Sequence, residues 1–176
     1  WSLGLEWDER LDSVAEFSAE DLVVLNAQLE RKINTPMTSS MGRLFDAAAA
    51  LAGVRQKVNY EGQAAIEFEA LADPAEAGMY AFGVESGLVG VRGVVEALVK
   101  DAAAGISIQK ISARFHNGLA ESVRETVAKI STETEIRSIV LSGGVWQNIT
   151  LIGRTLALLK KDGFKVYIHR EVPTND

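Results

Sequence analysis

Apolar positions recur at helical spacing through the first part of the chain. Over residues 18–33, Leu22, Leu25, Leu29 and Ile33 fall three or four residues apart, while Glu20, Asp21, Glu30, Arg31 and Lys32 fill the positions between them. That spacing lays one apolar stripe along an amphipathic helix. Ser18 stands at the N-cap position, Asp21 three residues later completes a capping box, and Asn34-Thr35-Pro36 ends the helix. A second helix is expected from Ser39 or Ser40 to Ala52, driven by the run Ala47 to Ala50 and stopped by Gly53. A third should follow Gly62, turn Ala65, Phe68, Leu71 and Ala72 inward and Glu67 and Glu69 outward, and close at Asp73-Pro74.

The pattern then changes. Residues 79–84 and 87–91 read as short strands joined by Ser86-Gly87, and residues 94–103 as a helix. A long helix is predicted over 107–132, with Ile108, Ile111, Phe115, Leu119, Val123, Val127 and Ile130 along one face. Residues 136–141 form a strand, Ser142-Gly143-Gly144 a turn, 148–161 a helix stopped by Gly163, and 164–169 another strand. Strand, glycine turn, helix and strand in that order make a βαβ unit with a parallel pair. The expected organisation is a helical region over 1–77 and an α/β region over 78–176, joined in one globular unit.

Composition narrows the function classes. The 176 residues are 47% hydrophobic, with 24 acidic against 18 Lys and Arg and a net charge of −6, which suits one compact core and not a disordered chain. With no cysteine, the chain has no disulfide framework, no Cys-ligated zinc or iron–sulfur cluster and no thiolate nucleophile of its own. A metal would have to draw on carboxylates and at most His116 and His169. The acidic balance disfavours nucleic acid as a partner, because neutralising phosphates takes clustered Lys and Arg. No apolar run approaches the roughly 18–20 residues of a spanning helix, and no secretory pattern stands at the start. A soluble, cytoplasmic chain with no membrane contact is expected. It opens on Trp1 and stops at Asp176, from which we expect an excised segment of a longer protein.

The Ser142-Gly143-Gly144-Val145 turn is the most informative candidate for chemistry. A glycine turn between strand and helix lets backbone N–H groups approach a phosphate at the helix N-terminus, although two glycines also serve such turns for steric reasons alone. Asn148 just beyond it suits either a nucleobase or ribose contact or an N-cap. Asp46 is an acid in a small, apolar stretch; it either faces water or leaves room for a ligand. Gly62 lies in Tyr60-Glu61-Gly62-Gln63, a turn feeding a helix. Asp176 follows the last strand, and sites in open α/β sheets gather at carboxyl ends of strands. The two histidines form no ligand pair: His116 reads as packed beside Phe115 with one hydrogen bond, His169 as a strand-end surface residue. Ser39 and Ser40 have no His partner, and Glu67 and Glu69 diverge on their helix, so no catalytic residue is assigned.

Four ordered motifs carry a resemblance: Ser39-Ser40-Met41-Gly42-Arg43-Leu44-Phe45-Asp46, Tyr60-Glu61-Gly62-Gln63-Ala64-Ala65, Leu141-Ser142-Gly143-Gly144-Val145-Trp146-Gln147-Asn148 and Val172-Pro173-Thr174-Asn175-Asp176. Together they resemble the C-terminal part of the HypF carbamoyltransferases, a hydrogenase maturation family. The resemblance implies half of an actin/Hsp70/sugar-kinase-like, RNase H-like transferase domain, related to the tRNA threonylcarbamoyl transferases, with a mostly helical N-terminal third. It implies a reaction in which carbamoyl phosphate and ATP give carbamoyl adenylate, and the carbamoyl group passes to the C-terminal Cys of the partner HypE for the cyanide ligands of NiFe hydrogenase. By resemblance Asp46 bonds the ribose hydroxyls, Gly62 borders the same pocket, Gly143 and Gly144 approach the phosphate, Asn148 addresses the adenine side, and Asp176 ligates a divalent metal. The family's zinc modules, its acylphosphatase-like and adenylate-forming modules, and the half-domain with its metal-binding His pair have no counterpart here. The expectation is therefore a fragment with an incomplete metal site and no turnover alone, with apolar surface exposed toward the missing half. A tRNA threonylcarbamoyl transferase-like domain and a noncatalytic partner-docking module are the alternatives.

Overall fold

A computed structural model describes residues 4–5, 7–85, 88–172 and 174. In chain order the elements are α1 (Asp12–Ala15), α2 (Ala19–Arg31), α3 (Met41–Leu51), α4 (Gln63–Ala70), β1 (Gly83–Glu85), β2 (Leu88–Gly90), α5 (Arg92–Ala103), α6 (Ile108–Thr134), β3 (Ser138–Leu141), a 3-10 turn (Gly144–Gln147), α7 (Ile149–Lys161) and β4 (Lys165–Ile168). The helix starts follow the caps read from sequence. Ser18 Oγ accepts from the Asp21 amide at 3.1 Å and the Asp21 carboxylate accepts from the Ser18 amide at 3.0 Å, the reciprocal pair of a capping box. Ser40 Oγ likewise accepts from the Arg43 amide at the start of α3.

The first half of the predicted stripe on α6 becomes the axis of the core, while Ile130 at its far end is exposed. Ile111, Phe115, Leu119 and Ala120 are buried against Phe45, Ala48 and Ala49 of α3, Phe68 of α4, Val94 and Leu98 of α5 and Leu151 of α7. Phe115 meets Phe45, Phe68 and Phe82 edge to face, with centroids 5.0, 5.7 and 5.6 Å apart. Edge-to-face packing places each ring's positive edge on its neighbour's negative face. The alanine run in α3 now has a reason beyond helix propensity, since Ala48 and Ala49 have almost no exposed surface and let neighbouring helices close on α3. The core thus draws on both the early helical region and the later α/β region.

The third helix departs from its predicted facing. Gln63, Ala64 and Phe68 are the buried residues of α4, and Ile66 is exposed. Glu67 and Glu69 are half-buried rather than turned to water, because Arg55 Nε lies 2.6 Å from Glu67 and the Thr150 amide donates to Glu69 at 2.9 Å.

β3 and β4 pair in parallel, from Ser138 opposite Lys165 to Leu141 opposite Ile168, with α7 as the crossover. The βαβ unit stands as its pattern predicts. β1 and β2 form a separate antiparallel pair; the predicted Ser86-Gly87 turn lies outside the described residues. Apolar side chains stay exposed along β3–β4 and α2, among them Val140, Tyr167, Val23 and Val24. No helix among the described residues is long and apolar enough to cross a membrane.

An irregular segment before β1 is tied to α6 by polar contacts. The Tyr80 amide donates to the Arg114 carbonyl at 3.1 Å, and Asn117 Nδ2 donates to the carbonyls of Glu76 and Gly78 at 3.0 and 2.8 Å. Arg114 pairs with Asp101 at 2.7 Å and Glu76 at 3.3 Å, and the Tyr80 hydroxyl donates to Asp101 at 2.8 Å. This close approach needs a glycine in α6, because a Cβ at Gly118 would lie 1.9 Å from the Tyr80 carbonyl oxygen. Alanine gains about 1 kcal/mol of helix propensity over glycine, but the clash forces the backbones apart and overpacking costs about 1–3 kcal/mol or more. Gly118→Ala is therefore expected to lower the urea midpoint, and a raised or unchanged midpoint would refute this packing.

Candidate functional site

Leu141, the last residue of β3, is buried, and the chain leaves the sheet through Ser142, Gly143 and Gly144. Gly143 has φ of 105°, a conformation that side-chain-bearing residues rarely adopt, and its amide donates to the Thr174 carbonyl at 3.0 Å. That bond ties the turn to the segment after β4. A Cβ built on Gly143 or Gly144 would find no atom within 4 Å, so the backbone is open to close approach there. The turn does not lead straight into the helix, as its sequence suggests. A 3-10 turn intervenes, with the Trp146 amide donating to the Gly143 carbonyl at 3.1 Å. The amides of Gly144 and Val145 begin that element and find no i−3 carbonyl within it.

Two of the free amides at the N-terminus of α7 are met by the protein's own side chains. Asn148 Oδ1 accepts from the Leu151 amide at 2.7 Å, and the Glu69 carboxylate, reaching across from α4, accepts from the Thr150 amide at 2.9 Å. A carboxylate at a helix N-terminus meets the positive end of the helix dipole. Glu69 supplies a negative charge at this helix start, and the glycine turn upstream is open backbone. Sequence spacing cannot reveal Glu69 as a contact across 81 positions.

Asn148 is an N-cap and more. Its Nδ2 lies 2.9 Å from His116 Nε2, and His116 Nδ1 lies 2.8 Å from the Ser112 carbonyl. A carbonyl only accepts, so Nδ1 carries the proton, and Nε2 is left as the acceptor for the Asn148 amide. The same assignment leaves Oδ1 facing the Leu151 amide. Ser112 Oγ donates to the Phe68 carbonyl at 2.5 Å, which joins α4 to the chain of bonds. His116 is fully buried, and burial pushes its pKa down to about 4, with the Arg154 charge acting in the same direction and the bond to Ser112 opposing it. It is packed, as its place beside Phe115 suggests, but both ring nitrogens are engaged. His169 is exposed, with Nε2 3.0 Å from Ser142 Oγ.

Asp46 lies on α3 with its side chain partly open to solvent and Arg43 Nη1 3.7 Å away. Gly62, at φ of 80°, begins α4 with open space on its Cβ side. Its loop is fastened by Gln63, whose Oε1 accepts from the Asn59 amide at 2.8 Å and whose Nε2 donates to Glu67 at 3.0 Å. Arg55 holds Glu67 ionised and keeps that carboxyl below its ordinary range. Gln63 thus has a structural task in the Tyr60-Glu61-Gly62-Gln63 motif that sequence reasoning missed.

Packing links the two ends of the sequence. Phe45, next to Asp46, sits 5.3 Å centroid to centroid from His116, which bonds Asn148, while Val145 and Trp146 pack against the same core. The five candidates Asp46, Gly62, Gly143, Gly144 and Asn148 line neither of two grooves found elsewhere. One, of about 560 Å³, runs along Val166–Ile168 and Arg170–Val172; the other, of about 280 Å³, lies between α1, α2 and Lys57. Asn175 and Asp176 fall outside the described residues. Among the described residues no three His, Asp or Glu side chains gather to hold a metal ion, so they offer no fit to one.

The whole chain, residues 1–176, matches the family described as carbamoyltransferase, Kae1-like domain, second subdomain. It is 36% identical over 155 residues to the carbamoyltransferase HypF of Rhizobium leguminosarum bv. viciae, covering 86% of this chain and 20% of that protein. A crystal structure of full-length HypF in the phosphate- and nucleotide-bound form superposes with a TM-score of 0.84 at 36% identity, over 94% of this chain and 22% of that one. The crystal structure of T. kodakarensis HypF superposes with a TM-score of 0.79 at 25% identity, over 95% of this chain and 22% of that one. The chain spans about a fifth of the length of these relatives.

The neutral imidazole has a pH consequence. An unfolded histidine titrates near 6.5 and this one at about 4, so its contribution to stability is complete above about pH 6.5 and is lost as pH falls toward 4. The full span is worth about 3 kcal/mol. Urea midpoints are expected to drop between pH 6.5 and 5, before most carboxylates protonate, and this part of the drop should vanish in His116→Gln. A wild-type midpoint constant over that interval would contradict a buried neutral imidazole.

Proposed function

Because the chain belongs to the HypF carbamoyltransferase family, as the second subdomain of its Kae1-like domain, we propose that it forms one wall of a nucleotide site used in carbamoyl transfer. The observation that carries this reading is the coincidence of two facts. The fold superposes closely on a HypF that holds phosphate and nucleotide, and the glycine turn presents unobstructed backbone at the carboxyl end of β3.

In this reading Gly143 and Gly144 let backbone amides approach a phosphate, Asp46 accepts from ribose hydroxyls, Gly62 borders the same surface and Asn148 addresses the adenine side. Asn148 spends one amide hydrogen on His116 and its oxygen on the helix cap, so one amide hydrogen remains for a ligand. The small-molecule substrates are carbamoyl phosphate and ATP, which with water give carbamoyl adenylate, phosphate and pyrophosphate. The acceptor is the C-terminal Cys of HypE, on the route to the cyanide ligands of NiFe hydrogenase. Its thiolate attacks the carbamoyl carbon, a C–S bond forms, and the C–O bond to the adenylate phosphate breaks with AMP leaving with the electron pair. Backbone amides aimed at the phosphate offset the charge that develops there. A divalent metal, with Asp176 as one ligand, belongs to the family expectation; no step here passes through it.

Calorimetry with ATP on the full-length protein tests the assignment. Asp46→Ala and Asn148→Ala are each expected to weaken binding about tenfold or more, the size of one lost polar contact to a charged or buried partner. Folded variants with wild-type affinity would reject the site.

A further inference from the structure

The hydrogen-bond chain through His116 does more than satisfy buried polar atoms. An Asn side chain capping a helix is free in principle to face its amide nitrogen into solvent or toward a ligand in several orientations. Here His116 Nε2 accepts from that nitrogen at 2.9 Å, and the only proton of the neutral ring is held at Nδ1 by the Ser112 carbonyl at 2.8 Å. Phe45, Phe68 and Phe115 pack around the buried ring at centroid distances of 5.3, 5.8 and 6.1 Å and so restrict its reorientation. Phe45 is the neighbour of Asp46 on α3, and Asn148 follows directly on the 3-10 turn that leaves Gly144.

We propose that His116 is a positioning residue for the nucleotide site: by accepting from the Asn148 amide while packed on Phe45, it fixes the orientation of Asn148 and keeps α3 in register with the glycine turn. This inference rests on the nucleotide reading above. It assigns His116 no contact with substrate; the ring acts through Asn148.

Three substitutions separate positioning from packing. His116→Phe keeps an aromatic ring among its neighbours and removes the acceptor. His116→Asn reaches the Nδ1 position, toward Ser112, but is too short to reach Asn148. His116→Gln places an amide oxygen near the Nε2 position and so retains an acceptor. ATP affinity is measured by calorimetry in the full-length protein, with thermal unfolding to confirm folding and the Asn148→Ala background to complete a double-mutant cycle. The expected result is about tenfold weaker binding in the folded Phe and Asn variants, recovery to within about threefold in His116→Gln, and no further loss when His116→Phe or His116→Asn is combined with Asn148→Ala. If His116→Phe does not fold, His116→Asn against His116→Gln decides the point. Wild-type affinity in a folded variant lacking the acceptor, no recovery in folded His116→Gln, or losses that add to that of Asn148→Ala would each overturn the positioning role alone. Wild-type protein that binds no ATP at millimolar concentration would overturn the nucleotide reading, and this inference with it.

Discussion

A histidine sealed into an aromatic core must stay neutral, and a neutral imidazole has one donor and one acceptor to place. That constraint organises this molecule. His116 gives its proton to Ser112 and takes one from Asn148; Ser112 in turn donates to Phe68, and Asn148 accepts from Leu151. One ring thereby joins α4, α6 and α7 through polar contacts that are each costly to leave unmade. The surrounding phenylalanines exclude water, which makes the bonds strong and the alternatives expensive.

The same helix, α6, serves its other faces by different means. Gly118 admits the backbone of Tyr80, and Asn117 and Arg114 fasten the segment around it. Farther along, Arg124 pairs with Glu121 on its own helix and with Asp162 beyond the end of α7. These guanidinium contacts are partly solvated, so each is worth a fraction of what the buried chain of bonds contributes; exposed pairs typically give about 0–1 kcal/mol. Their value is directional. They fix where α7 and the 73–82 segment lie against α6, and β4 follows α7.

The chemistry follows from this placement. Glu69 and Asn148 occupy two of the donors at the start of α7, and the glycine turn upstream is backbone with open space beyond it. A site of this kind separates two tasks. Protein side chains hold the helix end, and the turn, at a backbone angle that glycine tolerates, has open space beside it. Gln63 and Arg55 do the corresponding work for the loop that carries Gly62, holding its shape through Glu67.

Local signals in the chain were sufficient for the main helices, the caps at Ser18 and Ser40 and the βαβ unit, but not for residues 79–82, which read as strand and are irregular, nor for the 3-10 turn. The stripe of Ile111, Phe115 and Leu119, the Ser18–Asp21 capping box, the βαβ order and the glycine turn all depend on interactions between near neighbours, and spacing records those directly. The motifs around Asp46, Gly62, Gly143, Gly144 and Asn148 were legible for the same reason, as was the family they point to. Only the tertiary structure decided that Glu69 reaches the start of α7, that Glu67 is tied to Arg55, that Gln63 is buried and that His116 orients Asn148. Each of these joins elements whose separation in sequence has no fixed relation to distance in space. A carboxylate on a helix reads as solvated until the fold brings a donor to it, because the partner that decides its role is set by packing and not by period.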